Sequence, residues 1–160
     1  MFFTYGPIKI LITASNKGIT NIDFIDDIFP LEPTTEKQKE FLLQAHKELD
    51  DYFNRRLTHF SVPIDFQMGT PFQQRVWQAL QLIPYGSITY YQDIAKTIDS
   101  PKAQQAVGQA NRKNPVPIII PCHRVIGKNG KLTGYSGNSE QGLLIKQFLL
   151  DLEQKNKSLW

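Results

Sequence analysis

The 160-residue sequence contains one cysteine, Cys122, and this scarcity restricts what the protein can be. A single cysteine excludes an internal disulfide and any zinc site built from several cysteines, and it suits a reducing compartment. No apolar run approaches the roughly 20 residues that a membrane-spanning helix needs. The first residues also lack the charged region and the small-residue cleavage site of a signal peptide. We therefore expect a cytoplasmic protein that does not bind a membrane.

Charge is distributed unevenly along the chain. Residues 1–70 contain 7 Lys and Arg against 10 Asp and Glu, a net charge of −3, whereas residues 71–160 contain 11 against 5, a net charge of +6. A basic half favours a polyanionic partner such as nucleic acid. The charge alone is weak evidence, because many basic domains bind no polyanion.

Residues 1–67 predict a small N-terminal domain of strands and one helix. Alternating apolar residues at Pro7–Thr13 and at Ile22–Phe24, with an Asn-Lys-Gly turn between them, predict a hairpin, and Val62–Phe66 predicts a third strand. The Thr35–Gln38 capping box predicts the start of a helix with an apolar stripe. No constellation of catalytic groups accompanies these elements, so we interpret this domain as a scaffold.

Residues 68–160 predict a second, mostly helical domain, so the fold class is α+β. A capping box at Thr70–Gln73, with proline at the first helical position, begins one helix. A second, short helix begins at a capping box near Thr89, and a third runs from Ser100 to about Lys113. Two short helices joined by a tight turn predict a helix-turn-helix. A final helix spans about Gln141–Gln154.

The second helix of this pair has small residues along one side and polar residues around them. Ala103, Ala106, Gly108 and Ala110 keep it slim. A slim helix rimmed with amides and cations could approach a DNA groove closely, which makes five residues candidate DNA contacts: Gln104, Gln105, Gln109, Arg112 and Lys113. The alternative is a core-packing helix with an ordinary polar face.

The segment that leads to the cysteine is rigid and apolar. Three prolines lie in the seven residues before Cys122, and Ile118–Ile120 predicts a short buried strand that would deliver the thiol to the edge of the core. A lone cysteine is often an inert buried residue. However, a base at His123 and a cation at Arg124 are features that activate a thiolate. We therefore favour a reactive thiol.

The same segment carries a resemblance to a known family. Asn114-Pro115-Val116-Pro117, followed by Pro121-Cys122-His123-Arg124-Val125, resembles the active-site signature of the O6-alkylguanine-DNA alkyltransferases, and the match extends from about Thr70 to about Glu153. The resemblance implies a repair protein that moves an alkyl group from guanine O6, and from thymine O4, onto its cysteine once per molecule. It also implies a monomer that acts on double-stranded DNA containing O6-alkylguanine without a metal or an organic cofactor.

The resemblance assigns roles around the cysteine. Glu153 would orient His123, and His123, through a water molecule, would take the proton of Cys122, as in hydrolytic triads. Asn114 would support the turn and the hydrogen bonds around the thiol. The alternative for Glu153 is a solvated position at a frayed helix end.

Further roles implied by the resemblance concern the flipped base. Tyr91 would assist flipping and protonate the departing guanine, and the backbone of Cys122 and Val125 would read its amino group. Ser136 would lie against O6, Lys146 would support the pocket, and Tyr135 belongs to the glycine-bearing loop that would form the pocket wall.

Two positions depart from the family pattern. Gln105 stands where the family usually has an arginine that fills the gap left by the flipped base, and it lacks the charge and the planar fork of a guanidinium. Residues 138–141 resemble an insertion beside the pocket loop.

Three alternative functions remain open on the sequence. The first is an alkyltransferase-like protein that binds lesions without repairing them, although such proteins typically lack the cysteine. The second is a cysteine hydrolase, which would need an oxyanion hole. The third is a helix-turn-helix regulator, whose function would survive loss of Cys122.

Overall fold

The computed structural model describes residues 1–127 and 140–157, with side chains to Lys155, and the chain divides into two units at Gln67 and Met68. The strands and helices of the first unit, in order, are β1 (Phe2–Tyr5), β2 (Ile8–Ala14), β3 (Ile19–Phe24) and α1 (Glu36–Phe53). Those of the second unit are α2 (Pro71–Leu80), β4 (Thr89–Tyr90), α3 (Tyr91–Thr97), α4 (Gln104–Arg112), a 3₁₀ turn (Cys122–Arg124), β5 (Val125–Ile126) and α5 (Glu140–Lys157).

The first unit is a three-stranded antiparallel sheet in the order β1-β2-β3, and α1 packs against all three strands. The hairpin of β2 and β3 is confirmed, with Ile12 opposite Ile22. Because side chains alternate along a strand, Ile8, Ile10 and Ile12 all point into the core and are buried.

The third strand of this sheet is β1, so its predicted location at Val62–Phe66 is wrong. Among the described residues that segment makes one isolated bridge, Ile64 to Ile19, in which the Ile19 amide donates to Pro63 O over 2.8 Å. Pro63 itself has no N–H to donate, so the segment cannot form a regular ladder at that position. The chain passes so close that a Cβ on Gly18 would lie 2.6 Å from Pro63 O.

Two of the three capping boxes that the sequence predicts are confirmed. Thr35 and Gln38 exchange side-chain and backbone hydrogen bonds at the start of α1, and Thr70 and Gln73 do the same at the start of α2. A capping box satisfies amides that the first helical turn would otherwise leave unpaired.

The helix-turn-helix pair is present as α3 and α4, which pack against each other, but both helices begin later than predicted. The box predicted from Thr89 does not form. Instead, α3 begins at Tyr91, and Asp93 accepts from the Tyr90 amide over 3.4 Å. The α4 helix begins at Gln104 because residues 100–103 form a turn, in which the Ala103 amide donates to Ser100 O.

The small two-stranded parallel sheet of β4 and β5 brings the start of α3 beside the end of the cysteine segment. Thr89 pairs with Val125, and Tyr90 pairs with Ile126. The mixed α+β class is confirmed. No helix within residues 1–127 and 140–157 is long and apolar enough to cross a membrane.

Candidate active site

Cys122 begins the 3₁₀ turn between a buried loop and β5. Its amide donates to Ile120 O over 2.8 Å, and the Arg124 amide donates to Pro121 O over 3.0 Å. These bonds fix the backbone on both sides of Cys122, which is only 3% exposed. The rigid support predicted for Cys122 is therefore present.

The predicted strand at Ile118–Ile120 is wrong, because these residues form a buried turn. Ile120 donates to Val116 O over 2.9 Å, and Ile118 has a φ of 75°, in the left-handed region. A β-branched residue is strained in that region, so the surrounding contacts must hold it there. The apolar residues are buried as expected, but the prolines on either side leave too few amides for strand pairing.

Asn114 stabilises this turn through hydrogen bonds of its side chain. Its Oδ1 accepts from the Val116 amide over 2.9 Å, and its Nδ2 donates to Ile120 O over 2.8 Å. The same side chain donates to the sulfur of Cys122, which stabilises the thiolate. The structure thus brings Asn114 into contact with the cysteine.

Glu153 reaches the cysteine segment from α5. Its Oε2 lies 2.6 Å from Nε2 of His123, and both side chains are buried. The contact expected between these two residues is therefore present, and the alternative of a solvated helix end does not hold. Gly86 donates its amide to Oε1 of the same carboxylate over 3.2 Å.

Arg124 also binds Glu153, which the sequence does not reveal. Its Nε lies 2.9 Å from Oε1 and its Nη2 lies 3.1 Å from Oε2, while Nη1 donates to Ile83 O. The expectation that Arg124 supplies the cation beside the thiol is wrong, because its guanidinium is directed to the carboxylate. No local pattern indicates this direction, because alternation along a strand would place Arg124 on the same side as Cys122, whereas the segment forms a 3₁₀ turn.

This arrangement determines the protonation states of three buried groups: Glu153, His123 and Arg124. Burial alone would raise the pKa of Glu153, but His123 and Arg124 outweigh it and hold that pKa well below its usual range. Burial lowers the pKa of His123 against the opposing effect of Glu153. Glu153 is therefore ionised and paired with Arg124, and His123 is neutral.

The thiol is not activated in the resting protein. Burial raises the pKa of Cys122 to about 11, although the hydrogen bond from Asn114 and the charge of Lys146 both lower it. Burial lowers the pKa of Lys146 to about 8. The nearby cation that the thiol needs is thus Lys146, and a base must remove the proton when the thiol reacts.

Lys146 is held by the residue that follows the 3₁₀ turn. Its ammonium donates to Val125 O over 2.6 Å, and its side chain is completely buried. Val125, through its carbonyl group and its pairing with Thr89, therefore links Lys146, β4 and the cysteine segment.

A groove of about 260 Å³ lies over α4, between this helix and the start of α3. It is lined by Tyr91, Gln104, Gln105, Gly108, Gln109 and Arg112. The three glutamines, Arg112 and the adjacent Lys113 are exposed, whereas Val107 and Ala110 are buried. This arrangement brings Tyr91 together with the polar face of α4. The helix also has a packed face, where Trp77 Nε1 donates to Ala110 O over 2.8 Å.

Two of the predicted site residues, Tyr135 and Ser136, lie outside the described residues, as do residues 138 and 139 of the insertion at 138–141. Asn111 also contacts the cysteine, which the sequence did not indicate. Its Nδ2 donates to Cys122 O over 3.3 Å, and its side chain is 1% exposed. Asn111 lies four residues after the buried Val107 on α4, and an amide at that helical spacing was the available signal.

Comparison with known protein families identifies the family of this chain. The DNA-binding domain of 6-O-methylguanine DNA methyltransferase matches residues 71–155, and the ribonuclease-like domain of the same family matches residues 4–66. The chain belongs to the 6-O-methylguanine DNA methyltransferase family. The two matched regions lie on either side of the division at Gln67 and Met68.

Individual relatives span nearly the whole chain. The constitutive methylated-DNA--protein-cysteine methyltransferase of Bacillus subtilis is 49% identical over 151 residues, which cover 91% of this chain and 89% of that protein. The corresponding protein of Methanosarcina barkeri is 44% identical over 153 residues, covering 94% and 92%.

A solved structure of this methyltransferase family has the same fold. The O6-methylguanine methyltransferase of Mycobacterium tuberculosis superposes with a TM-score of 0.80 at 40% identity, covering 97% of this chain and 92% of that one. The same Mycobacterium tuberculosis protein in complex with DNA superposes equally well, covering 96% and 91%.

Proposed function

We propose that this protein repairs DNA by transferring the alkyl group of O6-alkylguanine irreversibly to Cys122, once per molecule. Membership of the methyltransferase family supports the reaction class. The observation that carries the proposal for this chain is the buried His123–Glu153 pair, which follows directly on the only cysteine. O4-alkylthymine is a second substrate that the same displacement would accept.

The reaction is a displacement at a saturated carbon. The sulfur of Cys122 forms a bond to the alkyl carbon while the bond between that carbon and guanine O6 breaks. The thiol proton passes to His123, and the departing guanine gains a proton at its ring nitrogen from the Tyr91 hydroxyl, which is later reprotonated from solvent. The thioether product has no simple hydrolytic route back, so one protein repairs one base.

His123 is suited to act as the base because Glu153 is already neutralised by Arg124. Glu153 accepts the Nε2–H, and this bond leaves Nδ1 with the free lone pair. The imidazolium that forms when Nδ1 takes the thiol proton is then stabilised by the adjacent carboxylate. This arrangement compensates for the raised pKa of the buried thiol.

The substrate would reach the cysteine as a flipped base. The slim, exposed face of α4 docks in the minor groove of the duplex, and the polar residues along it contact the backbone. The Val125 backbone reads the guanine amino group, Lys146 supports the pocket from behind, and the loop containing Tyr135 and Ser136 forms its wall. Extruding a base costs a few kcal/mol, which the contacts made by α4 must offset.

The two units would have different roles. The net charge of +6 on residues 71–160 supports DNA binding and alkyl acceptance by residues 68–160, and residues 1–67 serve as scaffold. The protein acts as a monomer in the cytoplasm, and the single reduced cysteine that the chemistry requires supports that location.

The test uses a duplex with one O6-methylguanine, digested to nucleosides after incubation with excess DNA. We expect each wild-type molecule to restore one guanine, and Cys122→Ser to restore none while still binding the duplex. Restoration of many guanines per molecule would contradict the proposal, because it requires turnover. Lesion binding without restoration by the wild type would make the protein a damage sensor instead.

A further inference from the structure

Asn111 occupies an unusual position between the DNA-facing helix and the cysteine. It lies near the end of α4, yet its side chain is turned inward and is 1% exposed. Its Nδ2 donates to the carbonyl of Cys122 over 3.3 Å. The side chain is therefore a direct link between the helix proposed to read DNA and the residue proposed to accept the alkyl group.

The other end of the same amide is unsatisfied. Oδ1 of Asn111 is buried and has no hydrogen-bond partner among the described residues. The amide cannot simply be turned over, because Oδ1 would then face another acceptor, the Cys122 carbonyl. Buried acceptors in folded proteins nearly always have a hydrogen-bond partner, so such an atom calls for an explanation.

A second buried acceptor at this site is in the same condition. Nδ1 of His123 has no hydrogen-bond partner within the described part of the chain, while Nε2 is bound to Glu153. His123 follows Cys122 directly, and Asn111 binds the backbone of Cys122. Both unsatisfied acceptors therefore belong to residues that adjoin the same cysteine, one through the chain and one through the hydrogen bond to its carbonyl group.

We propose that Asn111 is a positioning residue for alkyl transfer, and that its Oδ1 and Nδ1 of His123 together hold the water molecule that carries the thiol proton. This inference rests on the proposed function. A water molecule has two O–H donors, which match two unsatisfied acceptors, and its oxygen can accept the S–H of Cys122.

The role of Asn111 follows from counting the hydrogen atoms before and after transfer. Before transfer, the water accepts the S–H and donates one O–H to His123 and one to Asn111. The S–H bond then breaks as its proton joins the water, and one water proton moves to Nδ1 of His123. Afterwards the water accepts from the imidazolium and donates to the sulfur. In both states one O–H points to Asn111, so the amide holds the hydrogen that does not move.

The test measures, without DNA, how the reactivity of the thiol depends on pH in wild type and in two variants, Asn111→Leu and Trp77→Phe. Iodoacetamide reports on Cys122 alone because it is the only cysteine. Asn111→Leu keeps the size of the side chain but removes both polar atoms. Trp77→Phe is the matched control, because it removes the bond that ties the neighbouring residue of α4, Ala110, to α2.

We expect the reactivity profile of Asn111→Leu to lie at higher pH than that of wild type by about half a unit or more, since the thiolate loses an oriented hydrogen-bond donor. Trp77→Phe should lower the melting temperature and leave the profile where it is. A profile of Asn111→Leu that superposes on wild type would overturn the proposal, because a residue with only a structural role lowers stability and no more.

Asn111→Asp gives an independent readout. A neutral carboxyl can donate to the Cys122 carbonyl and accept from the water, as the amide does, whereas an ionised carboxylate cannot donate. We expect thiol reactivity relative to wild type to be greatest at low pH and to fall as the introduced carboxyl ionises. A constant ratio across pH would overturn the proposal.

Methyl transfer from the duplex separates the two hypotheses. If wild type transfers no methyl group but the thiol profiles differ as expected, the proposed function fails and the role of Asn111 in proton transfer stands. If wild type transfers methyl and Asn111→Leu does so at the wild-type rate, the role of Asn111 fails alone.

Discussion

Arg124 contacts both oxygens of Glu153, with Nε 2.9 Å from Oε1 and Nη2 3.1 Å from Oε2, although the two residues lie 29 positions apart. The carboxylate therefore has a permanent positive partner, because a guanidinium does not deprotonate in proteins. His123, which shares Oε2, can remain neutral and still donate a hydrogen bond. A paired carboxylate beside a neutral imidazole is the arrangement that a general base requires.

Glu153→Gln should destabilise the second unit strongly. The amide cannot neutralise Arg124, and leaving a buried charge unpaired costs about 3–5 kcal/mol. We expect a loss of this size in the free energy of unfolding, measured by urea denaturation at pH 7. Glu140→Gln changes an exposed carboxylate on the same helix and should leave stability within about 0.5 kcal/mol of wild type.

The difference between wild type and Glu153→Gln should depend on pH. Because the folded pKa of Glu153 lies below the ordinary value of 4.5, its carboxylate stabilises the fold above that value. This contribution is lost as the pH falls from about 4.5 towards the folded pKa. Urea denaturation between pH 3 and pH 7 should therefore show the two proteins converging in acid, and a constant difference would contradict the assigned charge of Glu153.

Tyr91→Phe should slow repair without altering the thiol. Tyr91 lines the α4 groove, and we propose that its hydroxyl protonates the departing guanine. Loss of a general acid typically costs about 100-fold or more in rate, so single-turnover methyl transfer from duplex DNA should fall by that order. Iodoacetamide should modify Cys122 at the wild-type rate.

Tyr90→Phe is the matched control for this change, because Tyr90 precedes Tyr91 directly and is 38% exposed. It should transfer methyl groups within a few-fold of the wild-type rate. Equal effects of the two substitutions would show that the loss comes from the local structure around β4 and not from the Tyr91 hydroxyl.

Gln105→Arg should speed the repair of duplex DNA. A guanidinium can stack in the gap left by the flipped base and adds a charge next to the phosphates. We expect faster single-turnover transfer and a steeper dependence of binding on salt, with the slope changing by about one unit. Gln104→Arg, on the same groove, should steepen the salt dependence equally and leave the transfer rate of the bound complex unchanged. Equal rates in the two variants would contradict a special role for position 105.

Lys146→Met should make the thiol less reactive while preserving the fold. The ammonium of Lys146 lowers the pKa of Cys122, and methionine fills similar space without charge. The iodoacetamide profile should therefore shift to higher pH. Replacing a buried charge by an apolar side chain often preserves or increases stability, so the melting temperature should not fall far. Lys155→Met removes a charge at an exposed position on α5 and should leave the iodoacetamide profile unchanged. A shifted profile for Lys155→Met would indicate a general charge effect.

Local sequence signals predicted much of this fold because their physics is local. The capping boxes at Thr35 and Thr70 depend on residues three positions apart, and the β2–β3 hairpin depends on a turn and strict alternation. The third strand was misplaced because β1 has only four residues, too few to show alternation, whereas Val62–Phe66 alternates but runs beside proline.

The site was harder to predict because it depends on contacts between distant residues. The resemblance identified the contact between His123 and Glu153, but composition and spacing could not. The direction of Arg124 and the buried link from Asn111 to Cys122 depend on how α4, the 3₁₀ turn and α5 pack. The apolar run at Ile118–Ile120 looked like a strand because the left-handed φ of Ile118 is imposed by its surroundings and not by its own preference.

The most direct test of alkyl transfer to Cys122 is the intact mass of the protein after incubation with excess duplex containing O6-methylguanine. The account predicts a gain of one methylene mass per molecule, located at Cys122 by peptide mapping and absent from Cys122→Ser. An unchanged mass after the lesion has been bound, or a gain located at another residue, would contradict it.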